Sequence, residues 1–324
     1  MTVNLENNII AEPIDRVCHY NKLFIGSNGD VFPCCIRPAH TKIGNVSDEN
    51  ICELIEKHSV ECRCALFNSH APNADDEINI RILNVELSLL CQAKCAMCFA
   101  DAPSWRGTYN LYDKIEKIIN TYSPTTVIVQ GGEILVQKES LAWIKKIKTN
   151  HPEIIFQMVT NLNVDFDYKD TIEELFETIT VSFVGFQPET YKAVMGLDIN
   201  KSKKLVEYLI PREKTKVRLK FLDTPASMHE SHLFLDWAIS LKPSKIYMHS
   251  AALPLYINSD APFQYWNKML SLTGKKIKDI LIKHKSELSK KNHFISFNSD
   301  NIAYYEISKE FLNNNELAGC VVET

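Results

Sequence analysis

Beyond about residue 80 the chain alternates two periodicities. Runs with an apolar residue at every second position read as strands: IRILNVELSLL (80–90), TTVIVQGGE (125–133), IIFQMVTNLN (154–163), ITVSFVGF (179–186), KVRLKFLD (216–223) and SKIYMHSA (244–251). Between them lie stretches of helical period, LYDKIEKIINTY, SLAWIKKIK, TIEELFET, ETYKAVMG with KKLVEYLI, and HLFLDWAISL. Pro124, Pro152, Pro188, Pro211 and Pro243 fall where boundaries belong. Six strand–helix repeats predict an α/β fold with a parallel sheet.

The strands are two-faced. Val217, Leu219 and Phe221 alternate with Arg218 and Lys220; Val85, Leu87 and Leu89 alternate with Asn84, Glu86 and Ser88. Gln130, Ser182, Tyr247 and His249 extend the polar set. A doubly wound sheet is apolar on both faces of its central strands, and a packed barrel interior is filled with branched aliphatics. Apolar residues toward helices and polar residues inward predict instead a partial (β/α)6 TIM-type barrel with a wet lumen. The expected division is a cysteine-rich domain over 1–76, the partial barrel over 77–252 and a C-terminal helical extension over 253–324, with a possible strand at HFISF.

Composition changes this picture mainly through cysteine. Of 324 residues 45% are hydrophobic, enough for a real core, and the net charge of −4 gives no electrostatic case for nucleic acid or an anionic membrane. No apolar run is long enough to span a bilayer and MTVNLENNII lacks a signal pattern, so the expected location is the cytoplasm. Nine of ten cysteines lie before residue 100, and clustered thiols in a reducing compartment bind metal or carry redox chemistry.

CQAKCAMC places Cys91, Cys95 and Cys98 in a C-x3-C-x2-C loop directly after the first barrel strand. Three thiolates can hold a 4Fe–4S cluster and leave one iron open; zinc would need a fourth ligand nearby, and none follows at suitable spacing. Ahead of the barrel, Cys18, Cys34, Cys62 and Cys64 form a plausible four-thiolate site, with NGD turning Cys34 back toward Cys18. Such a set suits an iron–sulfur cluster or a zinc ribbon. Cys35 faces away from Cys34, Cys52 within ICELI reads as helix core, and Cys320 has no assigned role.

The cysteine loop, GGEIL (131–135), TNLN (160–163) and VSFVGFQPETYKAVMG (181–196), in this order, resemble the radical S-adenosylmethionine superfamily, whose corresponding segments are the cysteine loop, GGEP, TNG and a strand-four serine followed by a Glu–Thr–Tyr…Gly helix. C-x10-G-x4-C from Cys18, IGNVSDENICELI and CRC resemble the auxiliary-cluster module called SPASM, or its shorter twitch form, placed ahead of the barrel; CRC stands where the module usually has C-x2-C. The resemblance implies a radical enzyme in which the open iron of the loop cluster binds S-adenosylmethionine, reductive cleavage yields a 5′-deoxyadenosyl radical, and that radical abstracts a substrate hydrogen. It further implies an auxiliary iron–sulfur cluster that assists oxidation or substrate binding, and an electron donor such as flavodoxin or ferredoxin.

By the same resemblance Gly131, Gly132 and Glu133 would receive the methionine moiety, Asn161 would line the site, Ser182 would contact the ribose and Arg218 or Lys220 the carboxylate. Met97 stands where the family commonly has an aromatic residue, with Phe99 next. Other roles remain open for these residues: a turn for GGE, backbone satisfaction for Ser182, a salt bridge to Glu86 for either cation. The expected substrate is a peptide or natural product, and the absence of room before Cys18 for a leader-peptide domain argues against ribosomal-peptide crosslinking. Oxidation or rearrangement of a small sugar or amino acid is the second reading. A non-catalytic iron–sulfur or zinc redox protein is a third, which explains the cysteines but not GGEIL or the polar lumen.

Overall fold

The computed structural model describes residues 22–33, 42–57, 80–95, 97, 98, 100, 102, 110–250, 263–291, 294–298, 305 and 307–323. The chain divides into two compact units, one of residues 1–85 and 109–126, the other of residues 86–108 and 127–323.

In the first unit β1 (Lys22–Ile25) pairs antiparallel with β2 (Asp30–Phe32), which pairs with β3 (Gly44–Asn45); on its other side β1 runs parallel to β4 (Ile82–Glu86). The NGD hairpin forms as its sequence predicts. Gly29 takes φ +85°, Gly29 N–H donates to Gly26 O at 2.8 Å, and Asp30 N–H is held by the Asn28 side chain at 3.1 Å. The GNVSD segment folds back on this turn: Asn45 Nδ2 donates to Asn28 O (3.0 Å) and Asp30 Oδ1 (3.1 Å), while Asp48 accepts from Asn45 N–H at 2.7 Å. Helix α1 (Ile51–Lys57) follows, burying Ile51 and Ile55. Cys52 is half-buried rather than core, because the 3.6-residue period turns it away from the Ile51–Ile55 stripe. It lies instead toward α2 (Tyr112–Tyr122), whose Thr121 Oγ1 is 4.0 Å from its sulfur and whose Tyr122 hydroxyl donates to its carbonyl at 3.2 Å.

The second unit is built on a parallel sheet in the order β5 (Thr126–Gln130), β6 (Ile155–Thr160), β7 (Thr178–Phe183), β8 (Lys216–Asp223), β9 (Lys245–Ser250), β10 (Ile295–Asn298), β11 (Cys320–Glu323). Its helices are α3 (Lys138–Asn150), α4 (Tyr168–Leu175), α5 (Pro188–Met195), α6 (Ile199–Leu209), α7 (Ser231–Leu241) and α8 (Phe263–Lys283). The local signals are orthodox: Pro188 opens α5, Gly196 closes it at φ +72°, and the Asp198 side chain caps α6 by accepting from Asn200 N–H.

Along β8 the buried positions are Val217, Leu219, Phe221 and Asp223, with Arg218, Lys220 and Leu222 half-buried between them; β6 and β7 alternate likewise. The apolar face carries an aromatic wall: Phe183 lies 5.5 Å from both Phe234 and Trp237, and Phe221 4.9 Å from Phe234, between ring centroids. The polar face is set in rows by the register, Ser182 opposite Lys220 opposite Tyr247 opposite Ser296, and below them Thr180 opposite Arg218 opposite Lys245. β4 departs from the alternation, since Asn84 and Glu86 are both buried.

The C-terminal region is more than a helical extension. HFISF becomes β10, parallel to β9, and β11 continues the sheet beyond it, with Ile295 opposite Cys320. Cys320 is accordingly buried, and burial pushes its thiol up to about 12. The short CVVE run carries no alternation to mark it as a strand; an apolar neighbour strand supplies the burial.

Candidate active site

The site grows from the exits of β5 and β6. Where β5 ends, Gly131 and Gly132 lie against the segment leading into the cysteine loop: Gly132 N–H donates to Ser88 O (3.1 Å) and Glu133 N–H to Leu90 O (2.9 Å). A Cβ on Gly132 would stand 2.2 Å from Leu90 O, and one on Gly131, which takes φ +123°, would stand 2.8 Å from Ser88 O. These glycines therefore admit a close backbone pairing that roots the cysteine loop. Gln137, which carries no motif, locks the same segment, its Nε2 donating to Ser88 O (3.2 Å) and Leu90 O (3.0 Å) while Ser140 holds its oxygen at 2.9 Å.

Glu133 is fully buried and its carboxylate is occupied within the chain. It accepts from Thr160 Oγ1 at 2.7 and 2.8 Å, from Asn161 N–H at 2.7 Å and from Leu135 N–H at 3.2 Å. Burial pushes its carboxyl above the usual range, and these donors pull against that shift. The motif glutamate thus ties the exit of β5 to the exit of β6. At that second exit Leu162 takes φ +54°, the left-handed conformation that the glycine of a TNG segment adopts freely; here a fully buried leucine is held in it, with its N–H donating to Thr160 Oγ1 at 2.7 Å.

The cysteine loop is clamped from this corner. Gln92 Nε2 donates to Asn161 Oδ1 (3.2 Å) and Asn163 O (3.0 Å), and Lys94 N–H donates to Met195 O (2.8 Å) at the end of α5. Ser202 Oγ donates to Asn161 O at 2.9 Å and lies 3.3 Å from the buried Tyr191 hydroxyl. Cys91, Cys95, Met97 and Cys98 are all half-buried. Burial comes first among the causes that push the Cys91 thiol up to about 11 and Cys95 to about 12, and neighbouring thiols of the loop add to both shifts. N–H groups already face two of them, Ala93 N to Cys91 Sγ and Ala102 N to Cys98 Sγ, each at 3.4 Å.

Ser182 and Lys220 are neighbours on the polar face of β7 and β8. Arg218 Nη1 donates to Gln157 Oε1 at 3.3 Å. Among the described residues Lys220 meets no carboxylate, and burial alone lowers its amine. Phe99 and the four cysteines of the first site, Cys18, Cys34, Cys62 and Cys64, lie outside the described residues, as does Cys35. Sequence reasoning missed Gln92, Gln137, Tyr191, Ser202 and Glu230. The last is a buried carboxylate that accepts from Phe186 N–H (2.6 Å) and Gln187 N–H (3.0 Å) at the exit of β7.

The donor set fits an iron–sulfur cluster. Three soft thiol ligands stand on one rooted loop, and such buried thiols become thiolates only against compensating positive charge. Among the described residues no three candidate ligands converge on the point a single ion would occupy; a cluster offers several irons, so its thiolates need not meet at one point.

Residues 18–78 match a family described as SPASM, an iron–sulfur cluster-binding domain. A relative described as "Probable GTP 3′,8-cyclase", from Methanococcus vannielii, is 24% identical over 168 residues, covering 50% of this chain and 57% of that protein. Among solved structures, Streptococcus suis SuiB bound to precursor peptide SuiA aligns with a TM-score of 0.51 at 15% identity, covering 70% of this chain and 51% of that one. Native anSMEcpe with bound AdoMet aligns at 0.50 and 17%, covering 64% and 61%. The chain thus spans between half and two thirds of the length of these relatives. Residues 18–78 are thus similar to an iron–sulfur cluster-binding module, and the solved structures share the parallel α/β fold on which the three-cysteine loop is rooted.

Proposed function

We propose that this chain is a radical S-adenosylmethionine enzyme that modifies a peptide or natural product by hydrogen abstraction, with the SPASM module assisting oxidation or holding the substrate. The observation that carries the reading is the rooting of the C-x3-C-x2-C loop at the exits of β5 and β6, by backbone pairing to Gly132 and Glu133 and by Gln92 to Asn161. Cys91, Cys95 and Cys98 would hold a 4Fe–4S cluster, and Cys18, Cys34, Cys62 and Cys64 an auxiliary one. A reduced cluster with S-adenosylmethionine supplies, when bound, an organic radical able to abstract hydrogen from an unactivated C–H bond.

The chain's own residues supply position and polarity. Lys220, an inward cation without a carboxylate partner among the described residues, suits an anionic group of the cofactor or the substrate. Ser182 beside it offers a hydroxyl to a sugar, and Arg218, half-buried in the next row, is the second candidate for a carboxylate. Glu133 acts here by fixing Thr160 and Asn161; Met97, half-buried on the loop, offers an adaptable apolar surface. An electron donor such as flavodoxin or ferredoxin and a cytoplasmic setting complete the reading; among the described residues no helix is long and apolar enough to cross a membrane.

Similarity to a structure that holds a precursor peptide supports the peptide substrate, and similarity to a GTP cyclase supports a small-molecule substrate as the second reading. The deciding experiment is anaerobic reconstitution, reduction and addition of S-adenosylmethionine. 5′-Deoxyadenosine is expected by mass spectrometry, and a chain with a normal cluster spectrum that forms none sinks the proposal.

A further inference from the structure

Every polar atom of Asn161 is engaged, and only one of its contacts faces the cysteine loop's chemistry. Its N–H donates to Glu133 Oε2 at 2.7 Å and its carbonyl accepts from Ser202 Oγ at 2.9 Å, so the backbone is fixed on both sides. Its side-chain oxygen accepts from Gln92 Nε2 at 3.2 Å and from Asn163 N–H at 2.9 Å. Both partners are donors, which settles which end of the amide is oxygen. The Gln92 amide is itself oriented, because the same Nε2 also donates to Asn163 O at 3.0 Å, an atom that can only accept. The remaining atom, Asn161 Nδ2, lies 3.9 Å from Cys91 Sγ. The residue is 8% exposed, so water competes little for this donor.

The three loop sulfurs are therefore unequal. Cys98 Sγ receives the backbone N–H of Ala102, whereas Cys91 Sγ receives the backbone N–H of Ala93 and a side-chain amide as well. The Cys91 sulfur also lies 3.8 Å from Gln92 Oε1, a contact that needs the thiol proton. A metal-bound thiolate has no such proton, and the hydrogen bonds left to it among the described residues are those from the two N–H donors. An N–H directed at a thiolate stabilises negative charge on the sulfur, and a reduced cluster carries one more negative charge than an oxidised one.

We propose that Asn161 is a tuning residue, whose side-chain amide, oriented by Gln92 and Asn163, donates to the Cys91 sulfur and raises the reduction potential of the cluster on the loop. The inference rests on the reading that Cys91, Cys95 and Cys98 hold a cluster, and it moves Asn161 from contact with S-adenosylmethionine to contact with the cluster's own ligand. Gln92 is a positioning residue, acting through Asn161.

The test is an anaerobic redox titration of the reconstituted full chain, followed by electron paramagnetic resonance. The Cys91→Ala/Cys95→Ala/Cys98→Ala chain identifies the loop's component as the signal it lacks; if it lacks none, the cluster reading itself fails and the tuning role with it. Asn161→Leu, similar in size but without a donor, should load the cluster and shift its midpoint negative. At a fixed poise the reduced-to-oxidised ratio should fall about tenfold, equivalent to 59 mV for a one-electron couple. Gln92→Leu, which frees the amide without removing it, should shift the midpoint in the same direction by less. A loaded Asn161→Leu chain with the wild-type midpoint overturns the proposal. Should Asn161→Leu not load, Gln92→Leu decides, an unchanged midpoint being the negative result. Failure of both to load would make Asn161 a holder of the loop rather than a tuner, and overturn it too.

Discussion

The two faces of the second unit's sheet are made from the same strands and differ in what they ask of their residues. On one, Phe183 and Phe221 meet Phe234 and Trp237 in a closed aromatic wall. On the other, Ser182, Lys220 and Tyr247 stand in a row that leaves polar groups half-buried. The first face gains stability from area and contact; the second carries a cation whose burial opposes its charge. A strand that alternates in this way keeps its stability and its chemistry on opposite sides, so that one can change with little effect on the other.

Substitutions should separate the faces. Phe221→Ala removes a fully buried ring from the wall and should cost about 3–5 kcal/mol in urea or thermal unfolding; a loss below about 1 kcal/mol would show that the wall is not where stability resides. Lys220→Met should leave the fold intact and lower 5′-deoxyadenosine formation about tenfold, ~1.4 kcal/mol of barrier. Unchanged turnover would remove Lys220 from the chemical face. The same variant should unfold at slightly higher temperature at neutral pH, by about 1 kcal/mol of stability, because a half-buried cation is replaced by an apolar chain of similar length.

The pH dependence has a definite sign. The folded amine of Lys220 is held below its ordinary value by burial, so the neutral form is the one folding favours. Its contribution to stability is present above the unfolded pKa and is lost as pH falls through the folded value. Wild type should therefore gain stability relative to Lys220→Met between neutral pH and the ordinary lysine range, and parallel unfolding curves from pH 7 to 10 would contradict this. The smallest effect is expected at the strained corner. Leu162→Ala and Leu162→Gly both lose buried contacts, but glycine relieves the left-handed backbone and should be the more stable of the two by about 1 kcal/mol.

Much of this was legible locally. The period-two runs became β4 to β9, the NGD turn formed its hairpin, and GGE and TNLN marked the two exits at which the site is assembled. What escaped was long-range. Gln92 and Gln137 act on partners some 50 to 70 positions away, and nothing in their neighbourhoods distinguishes them from surface amides. Glu230 ends a short 3-10 turn directly before α7 and serves backbone groups more than forty residues earlier. The motif glutamate was visible but its partners were not: the spacing of GGE does not reveal that Thr160 and Asn161 fill its oxygens. HFISF announced itself as β10, but β11 is too short to do so, and its place depends on an edge that only the folded sheet provides.

The pairing of Gly132 and Glu133 with Ser88 and Leu90 uses backbone groups alone. None of these groups is a metal ligand, whereas in a zinc finger the ligands themselves hold the fold. Exchange of Cys91, Cys95 and Cys98 for alanine would remove none of these bonds, so the corner that carries the loop and the sulfurs the loop presents can be altered separately.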